Sequence, residues 1–245
     1  MKNLFLILFI TFSGLMNFLP AQVAVDLETG TLFSGYNDVR IPGDTGTKFS
    51  LSKDLEPEVT PFLRARLDYT FNSRHTLSLL YAPLSIKYKG IIGKDVNFAG
   101  GFFPANEPVD ALFRFNSYRL TYRYRVYHSE KMDFGLGFTG KIRDAEIRLT
   151  SDRLESKKTN VGFVPILNFH LYRQIQNRLG FLFEGDALAA PQGRAEDVFA
   201  GLTYHLSDKI SLKAGYRLLE GGADNDEVYN FALVHYASVG LRVTF

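Results

Sequence analysis

The sequence has no cysteine and no tryptophan, carries almost no net charge, and shows no long apolar run beyond its first 21 residues. Without cysteine there are no disulfides, no thiolate metal ligands, no cysteine nucleophile and no lipid anchor on a terminal cysteine. Its absence is compatible with an oxidising compartment. Basic and acidic residues stand at 28 against 26 in 245, a formal charge of +2. Nothing in that balance would draw nucleic acid. No later segment reaches the ~18 uninterrupted apolar residues of a membrane helix. If the mature chain crosses a membrane, it does so with strands.

The excluded N-terminal segment reads as a secretion signal. Lys2 supplies the positive start, residues 4–18 an apolar stretch, and Leu19-Pro20-Ala21 a cleavage site before Gln22. Signal peptidase is therefore an expected partner. Residues 1–21 are removed, leaving 22–245 as one domain. The remainder is rich in aromatics, with 22 Phe and 13 Tyr in the whole chain. Such rings suit strands and membrane interfaces.

Period two decides the fold class. In residues 117–126, Tyr118, Leu120, Tyr122, Tyr124 and Val126 alternate with Ser117, Arg119, Thr121, Arg123 and Arg125. A strand turns this into one aromatic face and one basic face, whereas a helix would mix them. The same alternation recurs around Leu63–Phe71, Phe134–Phe138, Leu179–Phe183 and Ile210–Leu218. Ten strands are predicted near 23–36, 62–71, 76–89, 110–127, 132–146, 159–172, 178–188, 197–206, 210–220 and 229–245. Pro83 and Pro165 fall inside two of them and predict bulges or bends.

Short connections (72–75, 128–131, 173–177, 207–209) alternate strictly with longer ones (37–61, 90–109, 147–158, 189–196, 221–228). Short periplasmic turns, longer outer loops and an even strand number describe an up-and-down antiparallel transmembrane β-barrel. In hydrocarbon, every backbone N–H and C=O needs a partner within the protein, and a closed barrel supplies all of them. The outward face must then be apolar. An arginine facing lipid near the midplane would cost about 2–4 kcal/mol, so the basic face turns to the lumen. By parity the lumen charges are Arg64, Arg66, Asp68, Arg119, Arg123, Arg125, Asp133, Lys141, Arg143, Glu184, Asp186, Lys213 and Arg217. Both signs are present, and ten strands enclose a lumen only slightly wider than side chains can fill. A salt-bridged interior with at most a narrow water path is expected.

The C-terminal strand places Val239, Leu241, Val243 and the terminal Phe245 on one face. Leu241, Val243 and Phe245 resemble the signal read by the outer-membrane barrel assembly machinery, which implies assembly by it. Over the whole mature chain the pattern resembles small bacterial outer-membrane β-barrel proteins. Residues 215–230 (GYRLLEGGADNDEVYN) are similar to uncharacterised members of that class, and the Ala21-Gln22 junction resembles those common in Bacteroidota. The resemblance implies the outer membrane of a Gram-negative cell, in contact with its lipids and lipopolysaccharide.

Chemistry is scarce. Omptin proteases, lipid A deacylases and the outer-membrane phospholipase use a His near the outer rim, with carboxylate or Ser partners. Here His75 and His128 fall in periplasmic turns, and His170 and His205 fall at periplasmic strand ends. His235, by parity, faces lipid near the outer interface. His205-Leu206-Ser207 has the spacing of the deacylases at the wrong end of the barrel. No catalytic residue, cofactor or metal centre is expected. Glu220, Asp224, Asp226 and Glu227 form a candidate cation-binding loop of hard oxygen donors, although without the spacing of a calcium loop. Phe98, Phe102 and Phe103 in the second long loop suit either surface contacts or packing into the barrel mouth. Three functions follow: a non-enzymatic structural or surface-interaction barrel with a plugged lumen, a narrow channel for small polar or anionic solutes, and a lipid- or peptide-hydrolysing enzyme. The first is preferred.

Overall fold

A computed structural model describes residues 21–190 and 193–245, so the expected signal segment lies outside the described residues except for Ala21. No helix occurs among them. Ten long strands follow in order: β1 (Ala21–Arg40), β2 (Thr60–Phe71), β3 (His75–Ala82 continued by Ser85–Ile91), β4 (Pro108–His128), β5 (Met132–Thr150), β6 (Glu155–Gln174), β7 (Leu179–Ala190), β8 (Gly193–His205), β9 (Ile210–Asp224) and β10 (Tyr229–Thr244). Each pairs antiparallel with the next. β10 returns to β1 from Ala24↔Thr244 to Arg40↔Tyr229, with one bulge between Ser34 and Asn37. The sheet is a closed meander, in which two ladders stop short of the top: β2–β3 at Ala65↔Tyr81 and β6–β7 at Leu167↔Ala187.

All ten expected strands are present, and several are longer than the alternation indicated. β4 and β6 have 21 and 20 residues. At roughly 3.3 Å per residue, β4 is about twice as long as the ~9–11 residues a tilted strand needs to cross hydrocarbon. The extra length lies on the long-loop side. Three connections expected to be long therefore contract: β5–β6 turns through residues 151–154 and β9–β10 through 225–228, while β7 and β8 end at Ala190 and Gly193. Only residues 41–59 and 92–107 remain as extended outer loops. Pro83 interrupts β3, as expected. Pro165 does not break β6, whose ladder with β5 runs through it without a shift.

β4 shows why the strands continue. Tyr118, Leu120, Tyr122, Tyr124 and Val126 are exposed on the outside, while Ser117, Arg119 and Thr121 are buried inside. Further up, the sense reverses: Val109, Ala111 and Phe113 are buried inside, and Asp110 is exposed. Within lipid the outside must be apolar and the inside can be polar. Above lipid both outer surfaces meet water, so the interior becomes an ordinary hydrophobic core. Leu32, Val39, Ile147, Leu149, Val234 and Tyr236 join this upper core, together with Phe49, Leu51 and Leu55 from the first long loop.

The second loop closes over the same core. Val96–Phe98 pairs with Gly101–Phe103, and Ala99 and Gly100 both have positive φ (48° and 83°). Two such residues make the tight hairpin turn that matches strand twist. Phe98 and Phe103 are buried, whereas Phe102 stays 53% exposed. Two of the three rings thus pack into the mouth and one faces out.

Candidate functional site

Inside the membrane-spanning half lies a plug of interlocked charges. Asp197 on β8 is its centre. Its Oδ2 accepts from Arg64 on β2 at 2.9 Å and from Arg119 on β4 at 2.6 Å, and its Oδ1 accepts from Arg217 on β9 at 2.7 Å. Arg217 also forks onto Glu28 of β1, with Nε and Nη2 donating at 2.6 and 2.8 Å. Arg119 donates a second bond to Asp186 on β7 at 2.6 Å and a third to Ser117. Asp186 in turn accepts from Thr139 and Asn168. Lys213 bridges Asp26 and Glu28 at 2.8 and 3.0 Å. Toward the short-turn end, Arg66 meets Glu184 at 3.0 Å and Arg242 meets Asp68 at 2.6 Å. Charges from seven of the ten strands therefore converge, and Arg217 is 1% exposed. Buried charges at this density are tolerated only because nearly every one is hydrogen-bonded to its opposite.

Of the charges that parity turned to the lumen, Arg64, Arg66, Asp68, Arg119, Glu184, Asp186, Lys213 and Arg217 lie in this cluster. Arg125 pairs with Asp133 at 2.8 Å near the short turns, apart from the cluster. Arg143 donates to Asn160 high on the wall. Arg123 and Lys141 point inward with no carboxylate within salt-bridge distance among the described residues. Four members were not anticipated: Asp26, Glu28, Asp197 and Arg242. For Asp26 and Glu28 the signal existed, since both alternate with outward Val25 and Leu27. Asp197 was hidden by Phe199, which shares its parity. Phe199 is fully buried in the lumen rather than facing lipid, and Lys213 and Arg217 lie over its ring at 5.4 and 5.3 Å. The ring has room because Gly201 and Gly215 face each other across β8 and β9, and a Cβ on either would meet the ring at under 3 Å.

The candidate cation loop is corrected. Glu220 is an inward β9 residue, bonded to Arg194 and to the Tyr36 hydroxyl. Asp224 lies 4.0 Å from Arg40, and Glu227 lies 3.2 Å from Lys158. These acids are drawn to separate cations, and no cluster of three His, Asp or Glu able to hold a metal occurs among the described residues. His205 bonds the Tyr172 hydroxyl at 2.9 Å, while Ser207 Oγ accepts from the N–H groups of Lys209 and Ile210. Its hydroxyl is thereby engaged in the turn. His235 lies outside, bonded to Tyr216. Leu241 and Phe245 face outward, Phe245 being 71% exposed.

Above the plug, one side of the mouth is filled by the loop core and the other side is open. A cavity of about 900 Å³ extends there between β4–β6 and β7–β10. Phe113, Phe115, Val164, Pro165, Leu188 and Leu219 supply apolar wall, with Lys141 at the floor and Arg143, Lys158 and Arg194 higher up. None of the six plug acids borders it. The cavity therefore ends above the plug.

No family model matches the chain, and no curated protein matches it. Among solved structures, the outer membrane protease OmpT of Escherichia coli superposes with a TM-score of 0.54 at 10% identity, covering 91% of this chain and 97% of that one. Ail, the attachment invasion locus protein of Yersinia pestis, superposes at 0.41 and 12% identity (91% and 99%), and Neisserial surface protein A at 0.32 and 14% (92% and 97%). At these identities the likeness concerns the fold. A closed ten-stranded cylinder, an apolar outer belt, a charged interior and the likeness to OmpT agree: the chain has the fold of an outer-membrane β-barrel.

Proposed function

We propose that this barrel is a closed, non-enzymatic outer-membrane protein whose role lies at its outer surface rather than in passage through its lumen. The observation that carries this reading is the set of three hydrogen bonds that Asp197 accepts from Arg64, Arg119 and Arg217, which ties β8 to β2 and β4 across the interior and to its neighbour β9. Moving Asp197 aside to admit a solute would leave Arg64 buried without an acid, and moving Arg119 would leave Asp186 without its cation, at a cost of several kcal/mol. The half of the barrel standing above the membrane, with its packed loops and open cavity, then presents the working surface. A terminal Phe245 read by the assembly machinery and an origin in Bacteroidota belong to the same reading.

Planar-bilayer recording on purified protein tests it. No resolved single-channel steps are expected. Anion-selective steps that reverse or shrink in Arg123→Glu would replace it with the narrow-channel reading, which the uncompensated Arg123 and Lys141 favour. Phospholipid and lipopolysaccharide hydrolysis assays on wild type and His205→Ala test the non-enzymatic part. Turnover lost in the variant would overturn it.

A further inference from the structure

The wall of the cavity is incomplete on one side, at the level of the apolar belt. The β6–β7 ladder stops at Leu167↔Ala187, although β6 continues to Glu155 and β7 to Ala190. Residues 155–166 of β6 keep their partners on β5 and have none on β7. Pro165 lies two residues beyond the last pair and brings no N–H with which that ladder could resume. The β7–β8 hairpin ends low, at Ala190 and Gly193, so the rim is notched between it and β6. The notch is not in water. Phe163 faces outward beside its partner Ile142, and they are 71% and 51% exposed on the belt face that continues down to Phe138 and Leu136. An unpaired edge at this depth is costly unless it lines a cavity, and Val164, Pro165, Leu188 and Ala190 do line the vestibule.

The floor just inside the notch carries an uncompensated cation. Lys141 is paired in register with Val164 and is 3% exposed. Its ammonium lies 4.6 Å from the centre of the Phe115 ring and has no carboxylate within salt-bridge distance among the described residues. One turn of the alternation higher, Arg143 has its Nε buried without an acceptor. The other cations around it are paired with acids: Arg119 in the plug, Arg114 with Asp144 and Glu146, and Arg194 with Glu220. A buried, unpartnered ammonium at the base of an apolar cleft calls for an anion, and a cleft of this volume suits a small-molecule ligand with a few polar anchors.

The geometry points to a lateral binding site for a single-chain anionic amphiphile, whose head pairs with Lys141 and Arg143 and whose acyl chain lies along the apolar wall and leaves through the β6–β7 notch into the outer leaflet. A water-soluble anion has no use for the apolar wall, and a neutral lipid has none for Lys141. The inference rests on the outer-membrane placement and the plugged floor of the function proposed above, yet it is read by binding and not by current, so the two fail separately.

The test is equilibrium binding to the full barrel in phosphatidylcholine nanodiscs, with 11-(dansylamino)undecanoic acid as the fluorescent probe. Saturable binding is expected, displaced by dodecanoate but not by dodecanol or by acetate. Lys141→Met is expected to weaken it about tenfold, equivalent to the ~1.4 kcal/mol of a charge-assisted hydrogen bond. Ala145→Trp, which fills the cavity from the β5 wall without touching the cation, is expected to abolish it. Folding of each variant is verified by the heat-dependent shift of the barrel band on a denaturing gel. Absence of saturable binding in the folded wild type overturns the proposal, as does displacement by dodecanol or acetate equal to that by dodecanoate. Undiminished binding in folded Lys141→Met, or in folded Ala145→Trp if Lys141→Met fails to fold, also overturns it.

Discussion

Asp197 illustrates how a single side chain can hold a membrane interior together. Three guanidinium groups share its two oxygens. Arg119 and Arg217 have second acids in Asp186 and Glu28, but Arg64 has no other carboxylate within salt-bridge distance. Asp197→Asn therefore strands a buried cation and is expected to lower barrel stability by about 3–5 kcal/mol, seen as a lower urea midpoint in detergent micelles. Glu227→Gln breaks an ion pair too, that with Lys158, but in solvent at 78% exposure. No measurable change is expected there. Gly215 is the converse case, a residue defined by what it leaves empty. A methyl group there would meet the backbone of Ala200 and Gly201 and the Phe199 ring. Gly215→Ala is expected to cost about 1–3 kcal/mol through overpacking, readable in the same titration.

At the scale of one strand, β3 and β4 show a boundary that the chain writes twice. On β4, outward residues are apolar up to Tyr118, and the inner face turns apolar from Phe113 upward. On β3, outward Leu77, Leu79 and Tyr81 give way above Pro83 to Lys87 and Lys89. Leu120→Arg puts a charge in hydrocarbon and is expected to cost about 2–4 kcal/mol. Ile91→Arg, on an equally exposed outward position beside Lys89, is expected to be tolerated because it faces water. Equal losses of folded protein for both variants, measured by the heat-dependent gel shift, would contradict the assigned belt. The alternation made these strands legible, yet their upper ends were underestimated. Above the membrane the same period two persists with its faces exchanged, and a reading that holds one face apolar throughout loses the strand where the exchange occurs.

For the whole molecule, closure is the decisive event. Fifteen register pairs join β1 to β10, the two strands most distant in sequence. Such long-range pairing is slow to form, which gives an assembly machine something to accelerate. Phe245 is 71% exposed and adds little to packing in the finished barrel. Phe245→Ala is accordingly expected to reduce the folded barrel recovered from outer membranes several-fold while leaving the urea midpoint of the purified protein unchanged. An unchanged yield would separate Phe245 from any role in assembly.

Period-two alternation, the lack of any apolar helix-length segment and the spacing of turns were enough to specify a membrane barrel, its strand number and the side of the wall on which most charges lie. These are local properties, because the bilayer imposes one rule on every strand alike. Which charge meets which was not local: Asp197 finds Arg64 and Arg119, and Glu28 finds Arg217, only because curvature brings β8, β2, β4, β9 and β1 around one axis. The dispersal of Glu220, Asp224 and Glu227 onto three different cations has the same origin. So has the vestibule, which arises where one ladder stops short and where two loops fill only half of a mouth, and neither the stagger of neighbouring strands nor the room left beside a folded loop is carried by any short stretch of residues.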